Sequence, residues 1–223
     1  MRDLLRLDNP VMRALGKIFD VGWLSLLYII FCIPIITIGP ATTALYYTAI
    51  KVLRKDNGYV RAEFWHCFKA NFKRGAALGV GSTLIYALML FNINVVMSQQ
   101  SSYSSVLHVV YMAAMLITTL FLCYSYPILS RFDMKCTQIL RLALYMMMRH
   151  FITTIILFVI VAASVLGMYY GTIVGLPIVL VVIPGAMSML YTLPMEYVLR
   201  QYMPKDQKKY NEEGQEIKEW YDE

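Results

Sequence analysis

Residues 21–50, bounded by Asp20 and Lys51, carry no formal charge. About 20 apolar residues cross a bilayer, so this run holds more than one crossing and less than two full ones. It is broken at Pro34 and again at Gly39 and Pro40. Two geometries satisfy it: a tight hairpin of two short helices turning at residues 37–40, or one tilted span followed by a shallow interfacial helix. That choice sets the side of the membrane on which the N-terminus lies.

Two further charge-free blocks follow, residues 75–130 and 151–195. The chain is 59% hydrophobic and only 15% charged, against about 25% charged in soluble domains, and its mean hydropathy is +0.56. Polar residues 92–105 divide the first block, and Gly171 with Gly175 divide the second. The expectation is an all-α, polytopic helical membrane protein with five or six membrane segments. A single helical membrane domain covers residues 1–200, and residues 201–223 form a charged cytosolic tail. The lysines and arginines lie outside the apolar blocks, where they set orientation and meet anionic headgroups, so the net charge of +6 is not read as a nucleic-acid signal. Cys32, Cys67, Cys123 and Cys136 have no paired spacing and read as free thiols.

Pro10 suits the first turn of a helix, and the apolar residues before Asp20 recur at helical spacing, as in an amphipathic lead-in. Within the opening run, Pro34, Thr37, Gly39, Pro40 and Ala41 form the structural turn. After the turn signal Asp56, Asn57 and Gly58, Val60, Phe64, Phe68 and Phe72 fall four apart. Arg61, Lys69, Lys73 and Arg74 stand elsewhere on the wheel. That is a basic amphipathic helix, destined either for the lipid surface or for the ends of the spans. Residues 131–149 read as a basic loop. Lysine and arginine are concentrated at residues 1–20, 51–74, 131–149 and 200–223 and are absent from 92–105 and 171–175. The positive-inside rule then makes the C-terminus cytoplasmic. A hairpin makes the N-terminus cytoplasmic too; an N-out chain with five spans is the alternative.

No Asp, Glu, Lys or Arg falls inside the expected spans, with Glu196 at the end of the last. Proton- or sodium-coupled carriers usually place such groups near the midplane. Thr37, Thr42, Thr43, Ser82, Thr83, Thr118, Thr119, Thr153, Thr154 and Ser164 offer hydroxyls to a neutral polyol. Hydroxyls in membrane helices more often bond the preceding turn. There is no HExxH, GxSxG or P-loop motif, and adjacent His66 and Cys67 diverge on a helix. The chain is not read as an enzyme, and no cofactor or metal is expected.

The segment FCIPIITIGPATTALYYTAIKVLRKDNGYVRAEFWHCFKANFKRGAALG closely resembles the signature region of the YesL-like membrane proteins, a family of unknown function. The matching positions are Pro34, Thr37, Gly39, Pro40 and Ala41, then Phe64, Phe68, Lys69, Asn71, Phe72 and Lys73. The later YPILSRFDMKCTQILRLAL is similar to the family's loop after a span. The resemblance implies a small multi-pass protein of the bacterial cytoplasmic membrane, encoded beside sugar ABC transporters and polysaccharide-degrading enzymes, with no established activity. The functional expectation is an accessory or scaffold component associated with carbohydrate uptake or utilisation. Its partners would be the lipid bilayer and a sugar ABC transporter or another membrane protein. Phe64, Phe68, Lys69, Asn71, Phe72 and Lys73 are its candidate docking surface. The alternative is a permease for a neutral or sugar-derived solute, with the proline-rich last span as its moving part.

Overall fold

The computed structural model describes residues 10–98, 103–174 and 177–202, with the pairs 209–210 and 216–217. The first nine residues of the lead-in, the middle of the polar division at 99–102 and most of the tail lie outside the described residues. Helix α1 runs Pro10–Cys32 without a break, so lead-in and first span are one helix. Pro34 ends it: the residue before a proline is pushed out of the helical region, and Pro34 itself is extended at φ −77, ψ 128. A 3-10 turn, Ile35–Thr37, leads into α2, Ile38–Thr48, which continues as a π-helical turn, Ala49–Arg54. Asp56 and Gly58 then take positive φ, 51 and 90, and turn the chain into α3, Val60–Ala70.

The remaining helices are α4 Phe72–Ser98, α5 Ser104–Arg131, α6 Cys136–Arg149, α7 Phe151–Val174 and α8 Pro177–Arg200. Helix α4 continues through the polar residues expected to end it. The Asn92 and Asn94 amides donate back to the Leu88 and Leu90 carbonyls at 2.9 and 2.8 Å, so they need no break in the helix. The stretch read as a basic loop is largely α6. Ile139, Ala143 and Met146 form its buried stripe, and the Gln138 side chain accepts from the Lys135 backbone N–H at its start. In the tail, Lys209–Tyr210 pairs antiparallel with Glu216–Ile217. Among the described residues, four helical segments are long and apolar enough to cross a membrane: Leu15–Cys32, Phe72–Ser98, Ser104–Arg131 and Phe151–Ile173. The protein is a helical membrane protein.

Side-chain ties define one end of the bundle. The start of α4 meets the end of α5 through Arg74 and Asp133, and the end of α5 meets α8 through Arg131 and Glu196. Tyr124 bonds Thr154 at the start of α7 at 2.9 Å, and His150 bonds Tyr202 at 3.0 Å. Helix α2 approaches this basic end at both of its termini. Gly39 packs on Gly75 and Gly79 in the first two turns of α4. At the other terminus, Arg54 Nη1 donates to the Thr192 carbonyl at 3.3 Å, two turns from the end of α8. Seventeen residues, 38–54, are about 25 Å long at 1.5 Å each, enough to reach from α4 to α8. Helix α2 therefore lies across the basic end instead of along the bundle. Helices α1 and α2 run antiparallel as a hairpin, with Lys17 and Asp56 3.1 Å apart at its open end and the Thr37 hydroxyl on the Phe31 carbonyl at its turn. The expected depth of that turn is corrected: residues 37–41 sit beside Gly75 and Gly79 near the basic end and not at the far face.

Helix α2 is covered on almost every side, with Gly39, Pro40, Ala41 and residues 43–48 all buried. A helix that is apolar all round belongs in such a core. Its backbone meets α4 directly. A Cβ added at Gly39 would overlap the Gly75 carbonyl, and one at Gly75 would come within 2.8 Å of Pro40 N. Gly75→Ala should therefore lower the thermal midpoint in detergent, by an overpacking cost of about 1–3 kcal/mol. Gly81 has nothing within 4 Å of its added Cβ, so Gly81→Ala should be neutral or stabilising by up to about 1 kcal/mol. Equal shifts for the two variants would disprove the close approach.

Candidate functional site

Each residue of the predicted turn has a local task. The Thr37 hydroxyl hydrogen-bonds the Phe31 and Pro34 carbonyls at 2.6 and 2.7 Å, satisfying acceptors that the end of α1 leaves open. Pro40 lies in the first turn of α2 and contacts Gly75, and Ala41 is fully buried. The predicted docking residues divide. Phe64 and Phe68 are 1% and 5% exposed, and they pack with Phe31 of α1 at ring distances of 5.6 and 4.9 Å. Of the two destinations open to this helix, the chain's own helices take the stripe. Phe64 and Phe68 are thus core residues, unavailable to a partner. Asn71 ends α3 and donates to the Cys67 carbonyl at 3.3 Å. Trp65, Lys69, Phe72 and Lys73 remain exposed, with Lys69 Nζ 4.8 Å above the Trp65 ring. Burial pushes the neighbouring Cys67 thiol up to about 12, so it stays protonated and unreactive at neutral pH.

A cavity of 490 Å³ lies where α1, α2, α4, α5, α7 and α8 converge, inside the range of small-molecule sites, roughly 300–1,000 Å³. Tyr28, Tyr46, Tyr86, Tyr126 and Tyr191 face it from five of these helices, and none of its described lining residues carries a formal charge. Thr42, Ser82, Thr83, Thr119, Ser164 and Ser188 supply hydroxyls. All six donate to a carbonyl of their own helix three or four residues back, at 2.7–2.9 Å. A hydroxyl has one hydrogen and two lone pairs, so these oxygens keep acceptor capacity toward the cavity. Tyr86 bonds Thr119 across α4 and α5 at 2.7 Å, and Ser82 meets Tyr126 at 3.5 Å. The back-bonding expected from sequence is present, and it leaves the walls able to receive hydrogen bonds.

The floor of the cavity was not foreseen. Pro127 lies inside α5 and lines the cavity. Having no N–H, it leaves the carbonyl four residues earlier without its helical donor. That carbonyl belongs to Cys123, and the Tyr191 hydroxyl of α8 donates to it. Tyr191 meets Tyr46 of α2 edge-on, ring centres 5.9 Å apart. One turn beyond Pro127, Arg131 Nη2 bonds both oxygens of Glu196 at 2.8 and 2.6 Å, with side chains 1% and 7% exposed. Tyr46 lies beside this pair. Sequence reasoning put Arg131 in a loop and Glu196 at a span end; the signal available was a charge of each sign at the same expected depth.

Phe64→Ser should destabilise the folded protein by about 3–5 kcal/mol, the usual scale for losing a buried ring, read as a lower melting midpoint and reduced membrane abundance. Lys73→Ala, at an exposed site, should stay within about 0.5 kcal/mol of the parent. Parental melting of the Phe64 variant would return that ring to the surface.

Among curated proteins and solved structures, nothing matches this chain. One family model does: residues 21–93, from within α1 to near the end of α4, are similar to the family described as "Protein of unknown function, DUF624".

Proposed function

We propose that this is a YesL-like protein of the bacterial cytoplasmic membrane, with the basic end of its bundle in the cytoplasm. Its cavity binds a neutral, hydroxyl-bearing solute that the protein carries across the membrane. Six membrane segments make up the domain in this reading: the four long apolar helices, α8 as a further crossing, and α2 as a segment that enters without crossing. The observation that carries the function is the uncharged cavity ringed by tyrosines and by hydroxyls with spare acceptor capacity. An ionised solute would have to be stripped of water against walls with no counter-charge. A polyol or sugar can donate to the serine, threonine and tyrosine oxygens while its C–H faces lie on the rings. The association with carbohydrate utilisation rests on the family resemblance. A second reading, an accessory subunit beside a sugar ABC transporter, is favoured by the exposed aromatic and basic face of Trp65, Lys69, Phe72 and Lys73.

Protein reconstituted in liposomes should take up one of a panel of labelled neutral mono- and disaccharides with saturable kinetics. Tyr86→Phe removes one hydroxyl of the Tyr86–Thr119 pair and should weaken binding by about 0.5–1.5 kcal/mol, roughly two- to tenfold. Ser164→Phe, which fills the cavity, should abolish uptake while the protein remains folded. If the parent binds and moves none of the panel, and purification from native membranes brings down a transporter, the accessory reading replaces the carrier.

A further inference from the structure

We propose that Arg131 and Glu196 form the gate that closes this cavity toward the basic end of the bundle. The inference rests on reading the cavity as a solute site. Tyr46, Pro127 and Tyr191 are cavity-lining residues, and the ion pair follows them by four residues on α5 and by five on α8. The floor at this level is formed by α2, α5 and α8 together, with Tyr46 against Tyr191 and the ion pair, and parting α5 from α8 would open it. The two helices are held together there by the Tyr191 hydroxyl on the Cys123 carbonyl and by the pair itself.

The chemistry suits a latch. Pro127 has already removed a backbone bond from α5, so the helix bends most easily at the point where Tyr191 plugs it. Attraction within a buried ion pair is largely offset by the dehydration of both charges. When the pair separates into water at the mouth, hydration returns as attraction is lost. Parting such a pair into water therefore costs less than its attraction alone would suggest. Helix α2 completes the device, because Tyr46 lies against both Tyr191 and the ion pair.

Cys123 lines the cavity above the gate and serves as a reporter. In a protein carrying Cys32→Ser, Cys67→Ala and Cys136→Ser, a charged impermeant maleimide is applied to sealed vesicles of each orientation. Labelling of a separate Lys135→Cys protein identifies the basic-end face. The parent should react slowly from both faces. Glu196→Gln should react about tenfold faster or more from the basic-end face only, because loss of the pair shifts the population toward the open form. Exchanging the charges, Arg131→Glu with Glu196→Arg, should restore slow reaction. Arg131→Lys retains both charges in the buried pair, so it decides the matter with an intermediate rate if Glu196→Gln does not accumulate. Substituted proteins that react as slowly as the parent, or faster from both faces alike, would overturn the gate. The assay needs no solute: one-faced acceleration in a protein that binds no sugar would keep the gate and end the carrier reading.

Discussion

Backbone-to-backbone contact between α2 and α4 is the constraint on which the other arrangements depend. Gly39 and Pro40 meet Gly75 and Gly79 at distances that no side chain could share. That contact pins the start of α2 beside the first turns of α4, and the Arg54 bond to Thr192 pins its far end on α8. A helix held at both ends this way lies across the bundle, beneath the convergence of the longer helices. In hydrocarbon every backbone polar group needs an internal partner. Of the irregular turns flanking α2, the π-helical one is enclosed by protein at Ala49, Ile50, Val52 and Leu53. The 3-10 turn Ile35–Thr37 has no buried residue, and the Thr37 hydroxyl meets the Phe31 and Pro34 carbonyls before it. The turn at Asp56 and Gly58 then returns α3 antiparallel over α2, where Phe64 and Phe68 close on Phe31.

The cavity follows from the same layout. With α2 turned across one end, the longer helices enclose space above it that no single side chain fills. The residues bordering that space are five tyrosines, six serines and threonines bonded to their own helices, and as many apolar or weakly polar side chains, among them Leu45, Leu122, Val161 and Met187. A hydroxyl bonded back to its own helix is satisfied as a donor without filling volume. Bonding of hydroxyls to their own helix and a solute-binding surface are therefore not opposed: the first supplies the donor count, the second uses the remaining lone pairs.

Much of the fold was legible from charge-free block lengths and prolines: the helical membrane class, the break at Pro34 and the buried stripe of α3. Periodicity shows that Val60, Phe64 and Phe68 share a face, but the same stripe serves lipid, a partner or the chain's own core. Only the position of Phe31 selects among them. Depth was the other blind spot. A run of apolar residues specifies that a segment is buried, not the depth at which it lies, so the turn at residues 37–40 was expected at the far face and not beside Gly75 and Gly79. Helix α6 was hidden because four basic residues in 131–149 drew the eye to a loop, although Ile139, Ala143 and Met146 keep helical spacing. The cavity needed residues from six helices, and no local pattern brings those together.

The placement of charge carries one further consequence. Arg131 and Glu196 stand as close to the uncharged cavity as they can without entering it: one turn past Pro127 on one helix, just over one turn past Tyr191 on the other. Had either charge faced the cavity, it would have favoured an ionised solute and held water inside. Had the pair stood a turn further out, it would have been exposed and screened, worth at most about 1 kcal/mol, and the Tyr191 hydroxyl on the Cys123 carbonyl would have been left to tie α5 to α8. At its observed depth the buried pair joins the ends of two helices. Tyr46 stands between the two regions, with its ring among the cavity walls and the ion pair at its side. A shift of α2 would be felt in both. The short buried helix thus touches both the cavity and the ion pair through one side chain.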